Sequence, residues 1–246
     1  ILTDERELFP ATVKELDKRL LSLKYKPVYF QRRISLECIK AFLAGEDVVP
    51  NSVFEEIKEE LKKYIEFSSK KAYDFFAIWI IGTYLHPLFG TYPYIYLSGL
   101  KECGKTKTLM LVNCLAFNSI FSGNISTPSI YRLIQNARCT LLIDETEKLA
   151  NPERAQEFRA ILLSGYKQGI KVYRTEKNTR LRFEVQEFEA YSPKIIANIH
   201  GLDDVLESRC IKFVMRRTMN KEIGNREVNI SDERWQELRD KLYLLM

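Results

Sequence analysis

A loop bracketed by two glycines constrains the fold of this chain more than any other feature of its sequence. The loop fits the pattern G-x-x-x-x-G-K-[ST] and consists of Gly99, Leu100, Lys101, Glu102, Cys103, Gly104, Lys105 and Thr106. The apolar run "YIYLS" comes before it, and the helical run "KTLMLVNCLAF" directly follows it. Because glycine lets the backbone curl, successive N–H groups can point inward at a helix N-terminus and bind an anion. The sequence therefore predicts a strand, a phosphate-binding loop and a helix, in that order.

The side chains at the end of the loop indicate a nucleoside triphosphate. Lys105 is predicted to reach the β- and γ-phosphates, and the Thr106 hydroxyl is predicted to hold Mg²⁺. Cys103 is predicted to be a small residue that fills space within the loop. We therefore expect ATP and Mg²⁺ as cofactors, with the nucleotide bound by the loop and by Lys107.

Two adjacent carboxylates end the apolar run in "CTLLIDETEKL". A carboxylate that ends a parallel strand beside a phosphate loop can hold Mg²⁺ through water, and this role is assigned to Asp144. Glu145 would then polarise the attacking water. The pair taken alone could be a solvated strand end, but its place after an apolar run downstream of the loop favours the catalytic assignment. A phosphotransfer kinase needs no dedicated water activator, so Glu145 also favours hydrolysis.

Short apolar runs alternate with helical stretches between about residues 69 and 217. "YIYLSG", "TLLIDE" and "KIIANI" are hydrophobic enough to be strands buried on both faces, and the helices between them predict a parallel sheet in an α/β fold. Residues 1–68 are predicted to form an N-terminal helical region, in which Asn51 or Ser52 caps the last helix. Residues 218–246 are predicted to end in a helix capped by Ser231.

Three features follow the acidic pair. Alternating apolar residues in "KVYRTEKNTRLRFEVQEFEAYS" predict a β-hairpin with "EKNTR" at its tip. The next run ends in Asn198, whose amide can orient water against the γ-phosphate. Arg209 precedes a further apolar run and can neutralise charge that develops in the transition state. Taken singly, Asn198 could be a turn residue and Arg209 a surface charge, but their order and spacing favour catalysis.

The loop, the acidic pair, Asn198 and the triplet "SRC" around Arg209 resemble the phosphate loop, Walker B, sensor 1 and arginine finger of AAA+ ATPases. Most of residues 75–217 also resembles the helicase-like ATPases of plasmids, phages and integrative elements, which are related to the minichromosome-maintenance helicases. "NISTPSIYRLIQNARCTLLIDETEKL" and "YSPKIIANIHGLDDVLESRCIKF" carry this resemblance. It implies a three-layer P-loop NTPase core of AAA+ type over 69–217, with the hairpin inserted before sensor 1. Residues 218–246 would be a short or truncated helical lid, in which no sensor 2 residue can be placed.

The same resemblance implies the partners. It predicts a ring-shaped homo-oligomer, usually a hexamer, with ATP bound between subunits, so that Arg209 serves the neighbour's nucleotide. In the helicase relatives a corresponding hairpin projects into a central channel and grips DNA. Carried over to this chain, single-stranded DNA would be held through its phosphates by Arg174, Lys177, Arg180 and Arg182. A primase or a replication initiator is a further expected partner.

Two functions of different classes follow from these observations. The first is an ATP-hydrolysing DNA motor, a replicative helicase of a mobile genetic element. The alternative is a nucleotide-dependent loader or switch that assembles on DNA or a replication protein and does not translocate.

The formal charge of +5 permits a nucleic-acid partner without demanding one. Five cysteines without a CxxC pair favour a reducing, cytoplasmic compartment, and the apolar run "FFAIWIIGTYL" is too short to cross a bilayer, so no membrane partner is expected.

Overall fold

The computed structural model describes residues 1–3, 5–19, 33–123, 125–144, 152–177, 183–199 and 201–246. The helices within these ranges are α1 (Val13–Lys18), α2 (Leu36–Ala44), α3 (Pro50–Tyr64), α4 (Lys70–Leu85), α5 (Lys105–Leu115), α6 (Thr127–Ala137), α7 (Pro152–Ser164), α8 (Asp204–Glu207), α9 (Lys221–Asn225) and α10 (Glu233–Leu244). The strands are β1 (Tyr94–Ser98), β2 (Ile120–Ser122), β3 (Leu141–Ile143), β4 (Lys171–Lys177), β5 (Phe183–Glu189), β6 (Lys194–Asn198) and β7 (Cys210–Val214).

Five parallel strands form the central sheet, in the order β2-β3-β6-β1-β7. β1 pairs with β6 on one side, where Ser98 lies opposite Asn198, and with β7 on the other side. Every residue of β3 and β6 is buried, as expected for parallel strands that are covered on both faces. The structure thus confirms the α/β class and the parallel sheet that were predicted from the three apolar runs.

Side chains of the sheet alternate between two hydrophobic clusters, one on each face. On one face Ile95 and Leu97 of β1 pack with buried residues of α3, α4, α5 and α10. On the other face Tyr94 of β1 packs with buried residues of α6, α7, β4 and β5. The core therefore consists of three layers, with the sheet between two layers of helices.

The two terminal regions pack together on the first of these faces. Trp235 of α10 is fully buried, and its ring centroid lies 5.9 Å from that of Tyr64 at the end of α3. Arg33 and Arg239 both donate to backbone carbonyl groups at the end of α5, where the helix dipole favours cations. The terminal regions therefore share one core with the residues between them, and the predicted domain boundaries stay predictions. None of the described helices is long and apolar enough to span a membrane.

Two predicted helix caps are wrong. α3 begins at Pro50, before the predicted caps Asn51 and Ser52, because proline at the first helical position supplies the helical φ and has no N–H to cap. α10 is capped by the Asp232 carboxylate, and not by Ser231. The N–H of Ser231 donates to a preceding asparagine side chain, so this serine belongs to the turn that leads into the helix.

β4 and β5 pair antiparallel along their whole length, which confirms the predicted β-hairpin. Val172 and Phe188 form a buried cross-strand pair that faces α6, and the Phe188 ring lies 4.4 Å from the ring of Tyr131. The opposite face of the hairpin is exposed, and Tyr173 on it is 60% accessible to solvent. The predicted tip "EKNTR" begins too early, because Glu176 and Lys177 pair with Glu184 and Phe183 as the last residues of β4. Residues 178–182, which include the rest of the predicted tip, lie outside the described residues.

The first residue of β6 is a buried lysine. The Lys194 amine donates to the carbonyl groups of Ala190 at 3.0 Å, Ser192 at 3.1 Å and Gly165 at 3.4 Å. Burial lowers the pKa of this amine from 10.5 to about 7. Lys194 therefore joins the turn after α7 to the residues that connect the hairpin to the sheet.

Candidate nucleotide-binding site

The glycine-bracketed loop lies at the carboxyl edge of the sheet, where β1 ends and α5 begins. From β1 the chain passes to the far edge of the sheet, returns through β3 and β6, and then crosses to β7 on the other side of β1. In open parallel sheets, ligands bind at the carboxyl edge beside the strand at which the order reverses. β1 is that strand, so its loop lies where a ligand is expected.

Gly99 and Gly104 are required for two different reasons. Gly99 has φ +155°, and a Cβ there would come within 2.5 Å of the Met215 carbonyl oxygen and 2.7 Å of the Cys103 sulfur. Gly104 has φ +88°, and a Cβ there would meet no atom within 4 Å. Gly99 thus allows the close approach of another segment, whereas Gly104 supplies a dihedral angle that other residues resist. Cys103 is buried against Gly99, which agrees with its predicted space-filling role.

The Lys105 amine lies inside the curl of the loop. It donates to the carbonyl oxygen of Gly99 at 2.7 Å and to that of Leu100 at 2.8 Å. The residue is only 9% exposed. A phosphate that occupied the same curl would offer this ammonium group an acceptor of opposite charge in place of two neutral carbonyl oxygens.

The Thr106 hydroxyl donates a hydrogen bond of 2.7 Å to the carboxylate of Asp144. Thr106 is the second residue of α5, and Asp144 directly follows β3, so two elements that are distant in sequence meet at this bond. A hydroxyl and a carboxylate are hard oxygen ligands of the kind that Mg²⁺ prefers, and Mg²⁺ keeps several of its waters when it binds protein. The pair therefore fits the predicted metal site.

Asn198 ends β6, the strand that lies between the loop strand β1 and the acidic strand β3. It is 8% exposed, and its amide nitrogen donates to the carbonyl oxygen of Gly201 at 3.0 Å. A group bound between the loop and Asp144 would lie over the end of β6. The position of Asn198 therefore fits an amide that orients a water, and this role stays a prediction.

A cavity of about 790 Å³ opens beside the loop, a volume within the range of small-molecule sites. One wall contains Asp144, Asn198 and residues 101–107, so the predicted ATP contacts Gly99 and Leu100 do not line it. The facing wall consists of residues 64–66, 215–221 and 223–225. Nothing in these segments resembles a binding motif, so this second wall could not be predicted from the sequence.

Lys107 joins the two walls of the cavity. Its amine donates to the carbonyl oxygens of Ile223 at 2.8 Å and Gly224 at 3.1 Å, at the end of α9. Burial lowers the pKa of this amine. The amine of the predicted ATP contact Lys107 is thus bonded to the segment after β7, and these bonds hold that segment close to the loop.

Arg209 lies at the opposite edge of the sheet. It directly precedes β7, which runs parallel to β1 over five residues, so it is about 16 Å along the strand from the edge that carries the loop. Its guanidinium donates to the carbonyl oxygen of Leu163 and lies 5.7 Å from the centroid of the Tyr166 ring. The structure therefore does not bring Arg209 together with the loop of its own chain.

The predicted DNA contacts are described only in part. The Arg174 guanidinium lies 5.7 Å from the centroid of the Tyr131 ring of α6, on the same side of the hairpin as Val172, and its side chain is 32% exposed. Lys177 is the last residue of β4. The predicted site residues outside the described ranges are Glu145, Arg180 and Arg182.

These observations define an α/β protein whose parallel sheet and loop are compatible with the core of a P-loop nucleotide-binding protein. No protein-family model and no curated protein matches the chain. Among solved structures, it is similar to the apo A form of the C-terminal region of NrS-1, with 15% identity and a TM-score of 0.40 over 90% of this chain and 46% of that one.

A second structure of that region, spanning its residues 305–718, has 14% identity and a TM-score of 0.38 over 89% of this chain and 44% of that one. A JCV helicase bound to an acetamide compound has 11% identity and a TM-score of 0.40 over 82% of this chain and 55% of that one. The chain spans about half the length of these structures. At such scores, the likeness assigns neither a family nor an activity to the chain.

Proposed function

We propose that this chain is the ATP-hydrolysing part of an AAA+ DNA motor, a replicative helicase-like ATPase of a mobile genetic element. The observation that carries the proposal is the 2.7 Å hydrogen bond between the Thr106 hydroxyl and the Asp144 carboxylate. It joins the end of the phosphate loop to the end of β3 beside a cavity large enough for a nucleotide. A chance match to the loop pattern would not require an acidic residue at this point.

The residues divide the work at the site. The loop N–H groups and the Lys105 amine hold the phosphates, and Thr106 with Asp144 holds Mg²⁺, Asp144 through water. When bound, Mg²⁺ neutralises negative charge on the phosphate oxygens. Glu145, the residue after Asp144, takes a proton from the attacking water, and Asn198 at the end of β6 positions that water.

A second subunit completes the proposed site. Arg209 lies at the sheet edge opposite the loop, so within one chain it is too far away to touch the nucleotide. In a closed ring the same residue would face the loop of the next subunit, and a hexamer is the ring that we propose. Its charge would stabilise the transition state there, an effect worth about 10³–10⁵-fold in rate for arginines of this kind.

The hairpin is the proposed contact with single-stranded DNA. It directly precedes β6, which ends in Asn198, so a movement at the nucleotide can reach the hairpin through one strand. Lys177, Arg180 and Arg182 would contact phosphates near the tip. Arg174, which lies over Tyr131 of α6, would contact phosphates from the base of the hairpin. A primase or a replication initiator is the proposed protein partner.

Lys105→Ala tests the nucleotide site. Hydrolysis should fall by at least about 100-fold, because electrostatic stabilisation of the transferred phosphoryl group is lost. ADP release from Mg-ATP is the measurement, with fluorescent ATP titrations to follow binding. Lys40→Ala, which removes an exposed lysine of α2, is the matched control and should hydrolyse ATP at the wild-type rate. Normal hydrolysis by folded Lys105→Ala protein would refute the proposal.

Mixed oligomers and DNA titrations test the motor itself. Glu145→Gln subunits mixed with Arg209→Ala subunits should regain part of the activity that each variant lacks alone, since some interfaces then contain both wild-type residues.

The double change Lys177→Ala with Arg180→Ala should remove stimulation by single-stranded DNA while basal hydrolysis survives. Stimulation that persists after the double change would support a loader instead of a motor.

A further inference from the structure

β7 lies at one end of the sheet, and no strand of the described part of the chain pairs with its outer side. The carbonyl of Arg209 accepts from the N–H of Tyr94, and the N–H of Met215 donates to the carbonyl of Ser98. Backbone groups of neighbouring residues in a strand point in opposite directions. The N–H and C=O groups of residues 210, 212 and 214 therefore point away from β1.

A groove of about 450 Å³ lies beside this edge, between β7 and the start of α4. Its floor is aromatic, because the ring of Phe213 lies 5.3 Å from that of Phe75 and 6.1 Å from that of Phe67. Val214 also lines the groove and is 58% exposed. The edge strand thus offers backbone hydrogen bonds and an apolar pocket side by side.

The groove is positively charged. Lys71, Lys212 and Arg216 line it, and its lining contains no carboxylate. Lys212 pairs with Glu207 at 2.8 Å, whereas no ion pair among the described residues includes Lys71 or Arg216. α4 begins at the same place without a side-chain cap on its N-terminus, and the dipole of a helix adds positive potential at that end.

We propose that this groove binds an extended acidic peptide segment of another protein, which adds a sixth strand to the sheet along β7. The backbone of the peptide bonds to the outward groups of β7, one of its apolar side chains enters the aromatic pocket, and its carboxylates lie against Lys71 and Arg216. Side chains alternate along an extended peptide, so each of these contacts can be made by the same short segment. A nucleic acid would satisfy the cations but not the alternating N–H and C=O groups.

A synthetic probe tests the backbone contact. The probe is a fluorescein-labelled heptapeptide that alternates valine with glutamate, and its binding is followed by fluorescence anisotropy. Val214→Pro removes an outward N–H group without removing a bond to β1, and it should weaken binding about tenfold. Val214→Ala loses side-chain atoms but keeps the N–H, and its affinity should stay within about threefold of the wild type.

Charge variants test the acidic preference. Lys71→Glu should weaken binding about fivefold, whereas Lys40→Glu, which changes an exposed lysine of α2 that does not line the groove, should change it less than about twofold. A matching probe that alternates valine with lysine should bind at least about tenfold more weakly than the glutamate probe. Circular dichroism and thermal unfolding confirm that the variants are folded.

Several outcomes would overturn this proposal. One is equal binding of the two probes, and another is the absence of saturable binding by folded wild-type protein. Dimers in sedimentation velocity that Val214→Pro abolishes would assign the edge to a second copy of the chain. Binding of a labelled oligonucleotide that Lys71→Glu weakens and Val214→Pro leaves unchanged would assign the groove to nucleic acid. Neither of these last results depends on ATP hydrolysis, so the proposed function and this proposal can fail separately.

Discussion

Lys194 makes the free energy of unfolding depend on pH in a direction that the structure determines. Its amine is fully buried, and burial lowers its pKa from 10.5 to about 7. Between these two values the unfolded chain holds a proton that the folded chain does not, so the free energy of unfolding rises with pH. Below about pH 7 both states hold the proton, and the lysine contributes no further slope.

The size of this effect follows from the shift. Between the folded and unfolded pKa values of Lys194, each pH unit raises the free energy of unfolding by about 1.4 kcal/mol. From pH 7.0 to pH 8.5, Lys194 therefore raises the free energy of unfolding by about 1.6 kcal/mol. Buried thiols oppose it, because burial raises the pKa of Cys38, Cys139 and Cys210 to about 12 and that of Cys114 to about 11. Their unfolded forms begin to ionise near pH 8.5, which favours the unfolded chain.

Urea unfolding at both pH values separates the two contributions. The thiols are common to the wild type and to Lys194→Met, so the difference between their free energies of unfolding isolates the lysine. This difference should change by about 1.6 kcal/mol between the two pH values. Lys62→Met, which alters an exposed lysine of α3, should behave as the wild type does. Equal pH slopes for Lys194→Met and the wild type would refute the reasoning.

Three further predictions concern the loop, the core and acid stability. Gly99→Ala should weaken ATP binding in fluorescence titrations more than Gly104→Ala, because only its Cβ would strike backbone, 2.5 Å from the Met215 oxygen. Trp235→Ala should lower the free energy of unfolding in urea by about 3–5 kcal/mol, since the ring is fully buried. Burial lowers the pKa of His86 from 6.5 to about 4. The free energy of unfolding should therefore fall as the pH drops from 6.5 to 4, and this fall should be smaller in His86→Phe.

The sequence predicted the parts of the fold that depend on local pattern. The runs that became β1, β3 and β6 are short, apolar and bounded by turn residues, and these properties were enough to predict buried strands. The position of Asp144 beside Thr106 followed from one rule, that parallel strands end at the same edge of a sheet.

Features built from distant segments could not be predicted in the same way. The three carbonyl groups around Lys194 come from the turn after α7 and from the residues before β6, and nothing in "PKIIANI" marks this lysine as buried. The cavity wall at 64–66 and 215–225 carries no motif. Caps also depend on which side chain accepts from the first free N–H groups of a helix, and at α10 the Asp232 carboxylate accepts from the N–H of Arg234.

If the chain hydrolyses ATP as proposed, the strand order explains why a single chain would lack one residue of the catalytic site. β1, β3 and β6 end at one edge, so the glycine-bracketed loop, Asp144 and Asn198 gather there by topology alone. β7 runs in the same direction but is preceded by Arg209, which leaves the arginine at the other edge. A strand of five residues is about 16 Å long, whereas a guanidinium must lie within about 3 Å of the oxygen that it stabilises. Arg209 can therefore serve a nucleotide only if a second subunit supplies it, and the mixed-oligomer experiment decides between that arrangement and a surface arginine.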